Sequence, residues 1–252
     1  VTFSDGTLFS IRGGTFDLNG RELTNGLMDI ISNATLMSSR AGGRFVSLNG
    51  DALLSNATIA APLHVRTLAV IGDSEVQSEV RAGNLLRVDN ATLTLAPGGL
   101  IGAGTHLSLA NAASRVQVGN RFLTVAGLSG VAGSQINLGN GSLTQSSDED
   151  GSFEGNFAGA GRFVKEGAGR FILNSPSTHS GGVDVVSGSL GLGLTGASAT
   201  GSGTVRVFSG GTLGGTGRFG GKLELAGGLS SPKRESPLKS ASLMLKLCAF
   251  CP

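Results

Sequence analysis

Ten short triplets of the form apolar–x–apolar recur along this chain, and they limit its fold more than any other feature. The series opens with Phe16-Asp17-Leu18, Leu93-Thr94-Leu95, Leu107-Ser108-Leu109, Val116-Gln117-Val118 and Ile136-Asn137-Leu138. It continues with Phe171-Ile172-Leu173, Val183-Asp184-Val185, Leu190-Gly191-Leu192, Val205-Arg206-Val207 and Leu223-Glu224-Leu225. The middle residue is polar in eight of the ten, so each triplet reads as a strand with two side chains inward and one outward. Strands this short are not stable alone. They must be stacked.

A second repeat supports stacking. Ser32-Asn33-Ala34-Thr35-Leu36, Ser55-Asn56-Ala57-Thr58-Ile59 and Asp89-Asn90-Ala91-Thr92-Leu93 share an N-A-T-aliphatic core. The step from Asn33 to Asn56 is a suitable length for one coil of a solenoid. The next step, from Asn56 to Asn90, is half as long again, which calls for an inserted loop or a skipped register. Asn tolerates left-handed backbone and opens turns, so these sites read as corners leading into strands. They also fit the N-x-[ST] glycosylation pattern, a reading set aside in favour of turn chemistry. Ten coils of about 23 residues, spaced by about 4.8 Å, would make a rod roughly 50 Å long. The predicted fold is all-β: a right-handed parallel β-helix with an irregular C-terminal tail. A β-sandwich is the alternative, but the hairpin signals Asn25-Gly26, Asn49-Gly50 and Asn140-Gly141 are few and irregularly placed.

The most specific stretch is Gly159–Gly182. Gly159-Ala160-Gly161-Arg162-Phe163-Val164-Lys165 and Gly167-Ala168-Gly169-Arg170-Phe171-Ile172-Leu173 repeat with an offset of eight residues. A polar turn, Asn174-Ser175-Pro176-Ser177-Thr178-His179-Ser180, then ends on Gly181-Gly182 before the strand Val183-Asp184-Val185-Val186. This resembles the passenger-associated repeat of bacterial autotransporters, whose usual form is similar to G-x-G-x-L-x-K-x-G-x-G-x-L-x-L followed by an N-T-Y-x-G-G-T turn. Lys165 matches the family lysine. Ser177-Thr178-His179 departs from Asn-Thr-Tyr, and Val183 follows the paired glycines where the family has threonine. The same style continues through Gly201-Ser202-Gly203-Thr204-Val205 and Gly210–Gly217. The division it suggests is a weakly repetitive β-helical passenger region over 1–126, the associated repeat region over 127–231, and an atypical tail over 232–252.

The resemblance implies a non-catalytic passenger stem from a Gram-negative bacterium, displayed at the cell surface or secreted through the outer membrane. Its partner would be a C-terminal translocator β-barrel, which this sequence does not contain. Two other readings stay open: an adhesin face contacting host or neighbouring bacterial cells, and the stem of an autotransporter protease or esterase whose catalytic domain lay upstream. No catalytic, cofactor-binding or metal-binding residue is assigned.

Composition narrows the alternatives. The 252 residues include 43 glycines, 39% hydrophobic and 14% charged residues, too apolar for a disordered tail. Glycine has no period of three, which excludes collagen. Net charge is +2 and no basic block exceeds Lys233-Arg234, so no nucleic-acid footprint is present. No apolar run is long enough for a transmembrane helix. The start at Val1 lacks signal-peptide character and reads as mid-repeat, as in a segment of a longer chain.

The last residues break the pattern. Every glycine lies at or before Gly228, while three of five lysines, three of six prolines and both cysteines follow it. The break points to a change of reading frame near codon 230, after which the fragment would lack its translocator and not be exported. A genuine cap over the last coil is the other reading.

Several motifs carry weaker chemical signals. Cys248-Ala249-Phe250-Cys251 is a C-x-x-C without the further ligands of a zinc site or the βαβ setting of a redox motif. Gly72-Asp73-Ser74-Glu75 is similar to the opening of the GDSL hydrolase motif. None of His64, His106 or His179 has the Asp three residues before it that such an enzyme needs. Gly215–Gly220 fits G-x-G-x-x-G but lies in a strand-rich tract with no helix to follow. Asp148-Glu149-Asp150 reads as a solvated loop, and Lys165 as a solubilising charge on the β-helix exterior.

Overall fold

A computed structural model describes residues 8–24, 27–193, 197–227 and 245–246. Among them there is no helix; the chain winds into a parallel β-solenoid of about ten coils. The strands form a 15-stranded and a 9-stranded sheet. The coils visit three faces in the same order and pair with those one coil away; strands cover all three faces up to Asn156–Ala158, after which the third face carries only the single bridge Ser198–Arg218 among the described residues.

The inward residues form columns along the axis, as the alternation requires. On the first face the column runs Phe45, Leu63, Val80 and Ile101. It resumes as Leu123, Leu143, Phe163, Val183, Val205 and Leu223. The second carries Ile11, Ile31, Leu54, Val70, Val88 and Leu109 in register. The third carries Phe16, Leu36, Ile59, Val76 and Leu95, and beside them Leu93, Val116, Ile136 and Phe157. Nearly all of these are fully buried in one continuous core. Fully burying one such side chain is worth about 1.5–3 kcal/mol, which offsets the ordering of a glycine-rich backbone.

Coil length is not constant along the rod. The sequence separation between stacked positions is 23 from Asn33 to Asn56 but only 17 from Ala57 to Ser74. The longer interval between Asn56 and Asn90 therefore needs neither an insertion nor a skipped register. A coil intervenes whose corner reads Gly72-Asp73-Ser74, and Glu75 stacks on Thr58. Asn33, Asn56 and Asn90 do adopt left-handed backbone, with φ of 49°, 51° and 53°. Asn56 Nδ2 donates to Asn33 Oδ1 at 3.2 Å, so the first two corners also stack through their side chains. Asn140-Gly141 is likewise a corner, with the Gly141 amide donating to the Leu138 carbonyl at 2.9 Å. Asn49-Gly50 lies inside the strand Arg44–Ser55, at a register shift between Ser47 and Asp51. Asn25-Gly26 lies outside the described residues.

Of the atypical tail, only Leu245–Lys246 is described. It pairs antiparallel with Thr212 and Leu213 of the strand Val205–Gly215. The rest of 232–252, with Cys248 and Cys251, lies outside the described residues.

Candidate functional site

The Gly159–Gly182 stretch occupies one coil and shows why its two halves repeat. Gly159-Ala160-Gly161 turns a corner, Arg162–Glu166 forms a first-face strand, Gly167-Ala168-Gly169 turns the next corner, and Arg170–Leu173 forms a second-face strand. The offset of eight is one face plus one corner. Phe163 and Phe171 occupy equivalent inward positions and are both buried.

The same alternation overturns the exterior placement of Lys165. Lys165 is two residues from Phe163 and shares its inward face, and its exposure is 0%. It stands in an interior column between Gln145 and Val185. Its ammonium donates to the Glu166 carbonyl and, at 2.9 Å, to the Gly167 carbonyl. The acceptors are the last carbonyl of the strand and the first of the corner it enters. Burial lowers the Lys165 pKa, against the opposing pull of Asp148, Glu166 and Asp150. Edge-blunting needs an exposed charge; this one closes a corner from inside.

Asp148-Glu149-Asp150 is exposed, but the two aspartates are more than a solvated loop. Asp148 Oδ1 accepts from the Ala168 amide and Asp150 Oδ1 from the Arg170 amide, each at 2.8 Å. One coil thus satisfies two amides of the next coil's corner. Lys165 and these aspartates hold the Gly167–Gly169 corner from opposite sides.

His179 falls in a run whose composition suggests a polar turn, yet it is a core residue with 0% exposure. Its ring lies edge-on to Phe157, with centroids 5.8 Å apart. Phe157 in turn stacks between Phe153 and Phe163 at 4.9 and 4.8 Å. Neither imidazole nitrogen has a hydrogen-bond partner among the described residues. Burial pushes the His179 pKa down to about 4, with Arg162 adding to the shift and the nearby Gly182 backbone opposing it. The one sequence signal for this burial is alternation: Ser177 and His179 stand two positions apart, and both are buried.

The remaining motifs resolve into structure. Ser74 is 5% exposed; its Oγ donates to the Gly72 carbonyl at 2.8 Å and accepts from the Ala57 amide at 3.2 Å. Asp73 Oδ1 accepts from the Thr92 amide at 2.7 Å. The hydrolase-like quartet is therefore a coil corner. Gly215 ends the strand Val205–Gly215 at a φ of 115°, and among the described residues no helix follows for a phosphate to approach. No cluster of three or more His, Cys, Asp or Glu side chains suited to a metal ion occurs among the described residues.

The surface holds a cleft of about 380 Å³ lined by His106, Gln145, Glu149 and neighbouring backbone, and an open groove beside Leu100 and Phe122. His106 Nε2 lies 3.1 Å from Ser129 Oγ, and partial burial lowers its pKa against the pull of Glu149. Phe122 is 81% exposed. No helix among the described residues is long and apolar enough to cross a membrane, which says nothing of strands. Comparison with protein-family models, curated proteins and solved structures gives no match.

Proposed function

We propose that this chain is the non-catalytic stem of an autotransporter passenger, supporting outer-membrane translocation, folding and surface display. The observation that carries the reading is the coil-on-coil construction of Gly159–Gly182. Its Gly167–Gly169 corner is satisfied by the coil before and the strand that enters it: Asp148 and Asp150 reach forward, while Lys165 closes the corner from inside. A chain emerging gradually can add such a coil once its neighbour is in place, with no partner from distant sequence. Folding outside would then oppose backward movement. The partner implied is a translocator β-barrel, and the implied location is the bacterial surface or the medium.

The test is to place residues 1–231 between an export signal and a translocator β-barrel and measure protease-accessible chain on intact cells. Deletion of 159–227 should lower surface display strongly while leaving the barrel inserted. Undiminished display would remove the translocation role.

A second reading, an adhesive face, is favoured by the outward column on the third face. Thr35, Thr58, Glu75, Thr94, Gln117 and Asn137 stand in register along it. Such an array of hydroxyls, amides and one carboxylate suits a polar, repetitive surface more than an apolar one. Cell binding that survives replacement of these residues by serine would exclude it.

A further inference from the structure

We propose that His179 is a pH-sensitive latch, holding its coil closed while the imidazole is neutral and releasing it on protonation. The argument begins with the backbone on either side. The Ser177 amide donates to the Ser198 carbonyl at 2.9 Å, and the Thr178 amide to the Phe157 carbonyl at 2.8 Å. The Ser180 amide donates to the Gly159 carbonyl at 2.9 Å, and the His179 carbonyl accepts from the Ser202 amide at 3.1 Å. The segment is thus tied to the coil before it and the coil after it. Its side chain cannot swing to solvent without breaking these bonds.

Inside, the ring meets the edge of Phe157 and makes no hydrogen bond to the described residues, the Gly182 backbone being the one polar group that favours a proton there. A neutral imidazole is tolerated there as a flat, largely apolar group. An imidazolium is not: an unpaired buried charge is among the most costly things a core can hold. The charged side chain whose field reaches the ring is Arg162, which has the same sign, and Asp184 already pairs with it at 2.5 Å. No carboxylate among the described residues therefore compensates the incoming proton. The Gly182 backbone supplies the sole favourable influence.

The sign follows from linkage. His179 binds its proton less readily folded than unfolded, so its coil is fully stable above about pH 6.5 and weakens as pH falls toward about 4. The gap corresponds to a change of about 300-fold in the closed-to-open ratio of that coil. His106, also lowered by burial, adds to any loss in the same window and must be controlled for. The ion-paired carboxylates Asp51, Asp89 and Glu224 are lowered, so their stabilisation starts to go only at the ordinary carboxylate values and is lost fully below them, at the acid end of the window. On opening, the Phe157 and Phe163 faces would meet solvent, turning a sealed stretch of rod into an apolar surface.

The experiment uses the full chain and two independent readouts. Urea midpoints of the native protein, His179→Phe and His106→Asn are measured between pH 7 and 4. The latch predicts that His179→Phe flattens most of the acid loss and that His106→Asn keeps it. An unchanged slope in His179→Phe overturns the proposal. Should that variant fail to fold, ring-proton NMR of the native chain decides. A His179 signal that stays neutral until amide exchange accelerates over 174–193 supports the latch. Titration near pH 6.5 in the folded state overturns it.

Discussion

Lys165 places an amine in an interior column between Gln145 and Val185, and this arrangement can be tested with one substitution. Lys165→Met keeps the length and volume that pack beside Val185 but removes the donor to the Glu166 and Gly167 carbonyls. The lost desolvation cost of the ammonium favours the variant, whereas two corner carbonyls lose a donor. The second effect should dominate, with a net loss of about 1–3 kcal/mol read as a shift of urea midpoint. A gain in stability would mean that the corner carbonyls find water. Glycine offers a contrast at the same scale. Gly14 and Gly139 both have positive φ, but a Cβ on Gly14 meets open space while one on Gly139 would strike the Gly119 carbonyl oxygen. Gly14→Ala should cost about 1–2 kcal/mol, and Gly139→Ala clearly more, both seen in thermal midpoints. The inward position of Lys165 is legible from its spacing to Phe163. Its residue type argues the other way, since lysine is ordinarily a surface residue, and alternation outweighs that preference here. His179 is hidden for a different reason: a run of Ser, Pro and Thr reads as an exposed turn whatever its backbone pairs with.

The element that repeats is a coil of short strands on up to three faces, and its strands were far easier to foresee than its length. Most triplets with a polar centre became strands whose flanking side chains face the core, because alternation is fixed by the pleat. Corner length has no comparable constraint, so the interval between the first two Asn corners did not generalise. Corner chemistry did: Asn33, Asn56 and Asn90 share one conformation, and Asp73 stands where a fourth Asn would be. The short coil makes a sharp prediction. Removing residues 58–74 joins Ala57 to Glu75, which already occupies the place of Thr58 one coil on. That variant should retain its β circular dichroism and cooperative unfolding. Removing one further residue, 58–75, turns Val76 outward and Gln77 inward, since a single-residue slip exchanges the faces. Its melting temperature should fall well below that of the in-register deletion. Equal stability of the two would show that corners, not strands, set the register.

At the scale of the whole molecule, one core runs the length of the described coils, and each coil touches chiefly its neighbours. The solenoid class followed from short strands that had to find partners, together with the scarcity of hairpin signals. The role was less accessible, since a β-solenoid fold is shared by chains of different function and does not by itself name one. Motifs that looked chemical, the Gly72–Glu75 quartet above all, proved to be the fastenings between coils. A rod assembled this way has stabilities that add along one dimension, and its ends and centre need not open together.

The stacking direction also has a mechanical consequence. Backbone hydrogen bonds between coils point along the long axis, so a pull on the two ends loads them in tension, one interface after another, instead of shearing many at once. Under tension the rod should unwind as a spool does. A coil of about 20 residues would release roughly 65–70 Å of chain at each event. An optical trap on the full chain should therefore record a series of such steps at modest force, where one large release would mean that the coils yield together. Anchored in a flowing medium, a molecule of this kind would act as a tether that lengthens under drag and rewinds when the drag stops.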